Sequence, residues 1–341
     1  MNIIAENIST PKPGLRSDLV TVSRMRCFNS CRRLHHIKYE LGYRSVVTSE
    51  ALSFGTLIHV GLEAWWKSGG SLPAALAAMQ SQPGEADAIA MAKATVLLTG
   101  YDARWLPEMA DLEVLGVEVE FRGRIRNPST GYPCHDLEVA GKLDALVRRR
   151  STGKAWFVEH KTSSEDLAAG STYWQRWRMD PQVSVYHEGT KVLGHDVEGC
   201  IYDVISKFGE RPKLATPMDK RKYTKAGALY ANQRENDETV EEFTARISAN
   251  MAESPDSYFG RAEVVRTDGE LMESQQDVHA TALMIRDEAR LGRAPRNPSY
   301  CFMYGRTCDF HEVCSGCASL DDATKFKALD SVHPELANDE Q

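Results

Sequence analysis

Apolar and polar residues alternate along a run near the middle of the chain. Leu137, Val139, Leu143, Ala145 and Val147 form an apolar face, and Glu138, Lys142 and Asp144 point the other way. That is the period of a half-buried strand. A second strand-like run covers Ala155 to Lys161, and Ser151-Thr152-Gly153-Lys154 lies between as a polar turn, so an antiparallel hairpin is expected. Val117 to Phe121 alternates in the same way, which extends the strand-rich block from about Leu112 to Thr162. Residues 20 to 110 read as mostly helical, including Ser53 to Trp66, Pro73 to Met79 and Ala86 to Trp105. Downstream, Asp180-Pro181 supplies an N-cap and a favourable first helical residue. A strand follows at Val197 to Ile205, then a polar, lysine-rich insertion at 209 to 237. Helices at Glu238 to Glu253 and Gly269 to Leu291 flank the strand-like Tyr258 to Arg266, and no internal repeat is present.

A chain of 341 residues can bury a substantial core. The reading is one α/β domain over residues 18–318, with a helical part (18–110), a core (111–268) and a C-terminal helix with clustered cysteines (269–318). Residues 1–17 are expected to be loose, and the acidic stretch 319–341 disordered. No apolar stretch is long enough to span a membrane. A formal charge of −7 is not that of a typical nucleic-acid binder, although acidic residues elsewhere can mask a basic groove. Basic runs occur at Arg24, Arg26, Arg32 and Arg33; Arg148 to Arg150; Arg176 and Arg178; and Lys220, Arg221, Lys222 and Lys225. Each suits backbone-phosphate contacts or is a solvated face. Tyr173, Trp174 and Trp177 sit among two of these arginines, as stacking residues for unpaired bases or as core.

The candidate chemistry follows from parity. With Ser151 to Lys154 as the turn, Asp144 faces Lys161, and Glu159 lies one diagonal step away on the same face. Two carboxylates with waters suit a hard cation such as magnesium or manganese, and a neighbouring ammonium suits a phosphate or an attacking water. Taken alone, the pattern also describes a surface hairpin with a solvated aspartate and an ordinary Glu/Lys pair. His59 and Glu63, four apart on a helix, share a face, so His59 is a candidate ligand or a hydrogen-bonded core histidine. Gln182 and Tyr186 project from one side of the helix that opens at Pro181, suited to a phosphate or a metal-bound water, or else as a polar cap followed by a half-buried tyrosine.

Eight cysteines are present: Cys27, Cys31, Cys134, Cys200, Cys301, Cys308, Cys314 and Cys317. No signal peptide is recognised, so a disulfide framework is not expected. Four of the eight fall between residues 301 and 317, a crowding that serves a metal or cluster. Cys134 and Cys200 read as buried apolar residues.

Gly55-x-x-x-His59, Gly141-x-x-Asp144, Glu159-x-Lys161 and Gln182-x-x-x-Tyr186 occur in the order and spacing of the PD-(D/E)xK nuclease superfamily. The chain resembles its RecB-type branch and the related CRISPR-associated exonucleases over about residues 20 to 317. Leu143 stands where the superfamily's name has a proline, and His160 is an unusual middle residue with no role assigned. The resemblance implies a restriction-endonuclease-like central mixed β-sheet flanked by helices. It also implies metal-dependent hydrolysis of DNA: Asp144 and Glu159 bind Mg2+ or Mn2+, His59 is a further ligand, Lys161 positions water or phosphate, and Gln182 and Tyr186 orient substrate. Exonuclease action on single strands or ends follows from the kinship. So does a role in recombination, repair or adaptation beside other proteins of those processes, in the cytoplasm of a bacterial or phage-infected cell. The lysine-rich insertion is expected to order on DNA.

In the iron–sulfur members of that branch, one N-terminal cysteine joins three near the C-terminus to hold a [4Fe-4S] cluster. Cys31, Cys301, Cys308 and Cys314 occupy those places, with Cys27 and Cys317 in reserve. The six residues between Cys301 and Cys308 exceed the usual two. Such a cluster would clasp the two ends of the domain across a loop of about 270 residues. Zn2+, with His311 or Cys317 completing the site, is the alternative. Two other functions are kept open: a catalytically silent DNA-binding or assembly subunit, and a zinc protein with an unrelated hydrolase site.

Overall fold

The computed structural model describes residues 18–47, 50–82 and 87–336. The loose segment expected at residues 1–17, and the first residue of the helix expected from Ala86, lie outside the described residues. In chain order the strands are β1 (Leu19–Val20), β2 (Tyr43–Ser45), β3 (Leu112–Arg126), β4 (Pro133–Arg149), β5 (Ala155–Ser163), β6 (Val197–Ser206), β7 (Phe259–Val264) and β8 (Phe326–Ala328). The helices are α1 (Val22–Ser30), α2 (Arg32–His35), α3 (Glu50–Lys67), α4 (Leu72–Gln80), α5 (Ala88–Trp105), α6 (Thr172–Gln175), α7 (Pro181–Val192), α8 (Val240–Glu253), α9 (Asp268–Leu291) and α10 (His311–Ser315).

One six-stranded sheet runs β1-β4-β5-β6-β7, with β3 along the opposite edge of β4. β4 is antiparallel to β3 and β5, and β6 to β7, whereas β5–β6 and β1–β4 are parallel. Helices cover both faces. α3, α4, α5 and α8 bury Trp65, Trp66, Tyr101 and Phe243 on one. α1, α7 and α9 bury Phe28, Val183 and Ala282 on the other. A sheet buried on both faces explains why β5 and β6 read as nearly unbroken apolar runs.

Four expectations change. The hairpin loop is Arg150 to Gly153, because Arg149 N–H bonds the Lys154 carbonyl. Asp111 fixes this choice by accepting from Ser151 N (2.8 Å) and Ser151 Oγ (2.7 Å), which draws Ser151 out of the ladder. Relative to the expected turn the loop slides by one residue and the register by two, so parity is kept. Arg148 faces Ala155, and Asp144 lies level with Glu159 rather than Lys161. Second, the apolar face of β4 is not continuous: Leu137 and Leu143 pack in the α7 layer, Ala145 and Val147 in the α3 layer. Third, the two readings left open for Tyr173 and Trp177 narrow to one: both are buried and Trp177 packs on Tyr202 at 4.0 Å, so these rings are core. Fourth, the disorder expected from residue 319 does not extend through 336. β8 pairs with β2, Phe326 stacks on Phe310 at 5.2 Å, and Val332 and His333 are buried. The insertion at 209–237 is irregular apart from a short turn at Met218–Lys220 and a Tyr223–Leu229 bridge. Its ends are closed by Glu238 and Asp237, which accept from Lys213 N and Ala215 N.

Candidate active site

The pocket forms where β4 and β5 part. Their ladder ends at Ala145↔Val158, one residue before Asp144 and Glu159. At the same level β3 carries Glu118, between the Val117↔Ala145 and Val119↔Leu143 pairs, with φ 54°. A left-handed glutamate inside a strand costs about 1–3 kcal/mol and persists only where its surroundings enforce it. The kink coincides with the switch of apolar face on both strands. Asp144 is thereby released from strict alternation and sits at the seam between the two helical layers.

Each layer supplies a partner. From α3, His59 Nδ1 comes within 3.9 Å of Asp144 Oδ1. From the first turn of α7, Gln182 Nε2 donates to Glu159 Oε1 (2.7 Å), while its carbonyl oxygen accepts from Lys161 Nζ (3.0 Å). Lys161 also donates to Glu159 Oε1 directly. Asp180 caps α7 by accepting from Gln182 N at 2.9 Å and is itself paired with Arg26, which fixes the helix start beside Glu159. The structure therefore brings Asp144, Glu159, Lys161, His59 and Gln182 together. Tyr186 takes a different position: it is half-buried, edge-on to Phe121 (5.6 Å) and Phe157 (6.3 Å), with its hydroxyl directed at Gln182 and the Lys142 backbone. It forms the pocket wall.

Burial pushes the Glu159 carboxyl up, and Lys161 only partly opposes this. Burial would lower Lys161, but Glu159 and Asp144 outweigh it and hold the ammonium charged. Burial lowers His59, against the pull of Asp144, so its ring is neutral near pH 7, the form that binds metal.

His160 has a role that its place between Glu159 and Lys161 did not disclose. Its backbone N–H donates to Asp144 Oδ2 at 2.6 Å. Its ring, 3% exposed as a residue, lies 3.3 Å from Asp203 Oδ2 and against Trp66 and Tyr101. Asp203 in turn accepts from Tyr101 (2.5 Å) and Arg261 (3.0 Å). Burial would raise Asp203, but Arg261 and His160 hold it well below the usual carboxylate range. This buried network anchors the strand between the two candidate catalytic residues. Sequence reading missed it because Asp203 and Arg261 lie on different strands, and only their occurrence inside apolar runs marked them. Glu118 was also missed. It pairs with Lys142 at 2.5 Å and lies within the field of Asp144 and Glu63.

Among the described residues, no three His, Cys, Asp or Glu side chains are drawn together in a metal-ligand arrangement. The donor set of the pocket nevertheless fits a divalent cation. Glu159 is buried, and its Oε2 has no hydrogen-bond partner. A buried carboxylate oxygen left unpaired is costly unless something else meets it. The same test applies to a separate, thiol-lined cavity. Cys31, Cys301, Cys308 and Cys314 line it together with His311 and Phe310, and Cys308 N donates to the Cys301 carbonyl at 2.8 Å. Burial raises the Cys308 and Cys314 thiols. Cys27 packs against this cluster, and its thiol is pushed up to about 11, first by burial. Cys317 is exposed; Cys200 is fully buried in the sheet as expected, whereas Cys134 is only half-buried.

The family model of the PD-(D/E)XK nuclease superfamily matches residues 19–315. No curated protein matches the chain. Among solved structures it is similar to a protein from Eubacterium rectale named "putative exonuclease", with 13% identity and a TM-score of 0.47 over 94% of this chain and 95% of that one. No helix among the described residues is long and apolar enough to cross a membrane. The match spans the helical N-terminal part, the sheet with its parted strands, and the cysteine corner, and on that extent the chain belongs to the PD-(D/E)XK nuclease superfamily.

Proposed function

We propose that the protein is a Mg2+- or Mn2+-dependent deoxyribonuclease that digests single strands or DNA ends. The observation that carries this reading is the unpaired, buried Oε2 of Glu159 beside Asp144, with Lys161 held as a cation next to both. His59, Asp144 and Glu159 would hold the ion. When bound, such an ion lowers the pKa of a coordinated water and polarises a phosphoryl oxygen. The chain's own groups do the rest. Gln182 and Lys161 both hold Glu159 Oε1, which leaves the second oxygen turned away from them. The Lys161 ammonium stands ready for charge that builds on a phosphate, and the His160 N–H fixes the Asp144 carboxylate.

The same proposal places a [4Fe-4S] cluster on Cys31, Cys301, Cys308 and Cys314. Its support is that these four thiols share one cavity, whereas exposed Cys317 does not line it. Zn2+ with His311 is the competing occupant, since the imidazole lines the same cavity.

Digestion of end-labelled single- and double-stranded DNA in EDTA, Mg2+ and Mn2+ tests the activity. Metal-dependent shortening by wild type but not by Asp144→Ala supports it. If both proteins bind DNA alike and neither cuts, the chain is a silent binding subunit. Anaerobically purified protein is expected to be brown, and colourless protein containing zinc would reject the cluster.

A further inference from the structure

Between β6 and α8 the chain leaves the domain as an arm. Its root lies at the end of the sheet that carries the pocket: β6 runs parallel to β5 as far as Ser163↔Ser206, and Ser163 lies two residues, about 7 Å, beyond Lys161. Phe208 then packs on Tyr258 at 5.4 Å, and Glu238 closes the return by pairing with Arg246 at 2.7 Å. From 209 to 237 no residue is buried. Polar contacts hold this segment instead. Thr216 N–H donates to the Arg234 carbonyl (2.9 Å), and Arg221 Nε donates to the Thr216 carbonyl (2.9 Å). The Gln233 side chain accepts from Lys222 N (2.6 Å) and donates to the Lys220 carbonyl (3.0 Å). Beyond them the chain turns back in a short hairpin, in which Tyr223 pairs with Leu229 and Tyr230 N–H donates to the Lys222 carbonyl at 3.1 Å. A long segment that buries none of its residues yet keeps a shape has a surface to present.

That surface is basic and aromatic. Residues 211–234 hold seven lysines and arginines against one acid, Asp219, in a chain whose formal charge is −7. Arg221 and Arg234 pair with Glu235 and Glu242, whereas Lys220, Lys222 and Lys225 are exposed and make no ion pair among the described residues. Side chains alternate faces along the hairpin, and residues opposite one another share a face. Tyr223 therefore shares one face with Leu229, and Tyr230, 46% exposed, shares the other with Lys222. An open ring beside a free ammonium is complementary to an unpaired base and its phosphate, because the base stacks while the charge meets the backbone. A duplex keeps its bases stacked and paired, and has no free base face for such a ring.

We infer that this arm docks single-stranded DNA, with a base stacked on Tyr230 and the backbone held by Lys222 and its neighbours Lys220 and Lys225. This rests on the nuclease reading, which supplies the substrate, and deepens it: the arm selects unpaired strand and holds it at the pocket's end of the sheet. Tyr230 takes the stacking role that Tyr173 and Trp177, buried as core, cannot fill.

The test measures binding without cutting, in the full chain carrying Asp144→Ala, by fluorescence anisotropy of labelled single strands and the matching duplex. Adding Tyr230→Ala is expected to weaken single-strand binding about tenfold and duplex binding less than about twofold, and Tyr230→Phe, which keeps the ring, to bind as the parent does. Lys222→Gln should lower the slope of log affinity against log salt by about 0.7 on the single strand. Tyr223→Ala, on the opposite face, should cost less than about threefold. All four side chains are exposed, so each variant should melt with its parent. Equal losses on single strand and duplex with Tyr230→Ala overturn the stacking, as does a larger loss with Tyr223→Ala than with Tyr230→Ala. Single-strand affinity unchanged by both Tyr230→Ala and Lys222→Gln overturns the docking site altogether. If these binding results hold while wild type cuts nothing in Mg2+ or Mn2+, the nuclease reading falls and the arm stands.

Discussion

Asp144 and Glu159 reach their pocket on strands buried between two helical layers, whereas Cys301 and Cys308 reach theirs on loops and Cys314 on the single-turn helix α10. The pocket is over-determined. Sheet register, the Asp111-capped loop, the His160–Asp203–Arg261 network and the Asp180 cap each fix part of it. Among the described residues, the fully buried apolar set around the cysteine corner is Cys31, Leu34, Ile37, Phe310 and Phe326, with half-buried residues such as Tyr43 and Val313 packed on it. A core of that size cannot by itself offset the entropy of ordering the residues around it. One site should therefore survive loss of its chemistry as a shape, while the other should lose its shape with its chemistry.

The largest expected effect is on the pocket. Asp144→Ala removes one carboxylate from a frame that does not depend on it, so cleavage should fall at least about 10³-fold, or about 4 kcal/mol in activation free energy. Its melting temperature should stay within about 2 °C of wild type. A variant that loses activity because it unfolds would show that the frame is weaker than its contacts imply.

The corner should behave in the opposite way. Cys308→Ser is expected to bleach the protein and cost about 3 kcal/mol, the scale of opening a long-loop cross-link. Limited proteolysis should then cut between α9 and β8, and pulse-labelled hydrogen exchange should rise there but not in β5. Cleavage by the variant that remains folded should stay within about threefold of wild type. Loss of cleavage without any change in melting or proteolysis would break the distinction between the two regions.

The same contrast governs what could be read from the chain. Asp144, Glu159, Lys161 and Gln182 were legible because period-two alternation and a helix cap are local signals, and local signals fix which side of an element a residue occupies. The register error of two residues was invisible for the same reason: parity survives it, and the Asp111 side chain that sets the loop is remote in sequence. Glu118 and the Asp203 network were not legible, since a left-handed residue in an alternating strand and a pair of charges on separate strands leave no periodic trace. Tyr186 was read as reaching for substrate, yet Phe121 and Phe157, which hold its ring, come from strands that the helix pattern does not mention. The tail from residue 319 looked disordered from its acidic composition, but Phe326 stacked on Phe310, the β8–β2 pairing and buried Val332 hold it through residue 336.

A smaller effect probes the wall of the pocket. At Gly141 a Cβ would stand 2.7 Å from both the Phe121 and Tyr186 rings, so Gly141→Ala must push Tyr186 away from β4. Overpacking of this kind costs about 1–3 kcal/mol. Because Tyr186 is directed at Gln182, kcat should also drop, by about tenfold, with KM less affected. Gly153→Ala, at a loop position with φ 71° and open space around it, should lower stability by about 1 kcal/mol and leave kcat unchanged. Equal losses of kcat in the two variants would deny Tyr186 any part in shaping the pocket.

The smallest effect is a pH dependence seated beside the corner. His35 ends α2, the helix that begins after Cys31, and it is 2% exposed. Arg24 Nε donates to His35 Nε2 at 3.1 Å, which requires that nitrogen to be unprotonated. Burial first, then the charges of Arg24, His36, Arg32 and His333, push its pKa from 6.5 down to about 2. Glu40, paired with Arg24 at 2.7 Å, is the acid on this side of the ring. Between pH 6.5 and 2 the unfolded chain binds a proton that the native state refuses, so stability falls as pH drops through that window, by about 1.4 kcal/mol per unit. In melts at pH 7.5, 6.5 and 5.5 the contribution of His35 should fall by about 0.4 kcal/mol over the first step and by about 1 kcal/mol over the second. His35→Gln keeps an acceptor for Arg24 and removes the titration, so its curve should be flatter by that amount. His36 and His59 are also lowered, by burial above all, so some slope should remain. If the two slopes are equal, the Arg24–His35 contact does not hold the ring neutral. If hydrogen exchange at pH 5.5 rises in β5 before it rises in α2, acid opens the pocket first and the comparison between the two regions is reversed.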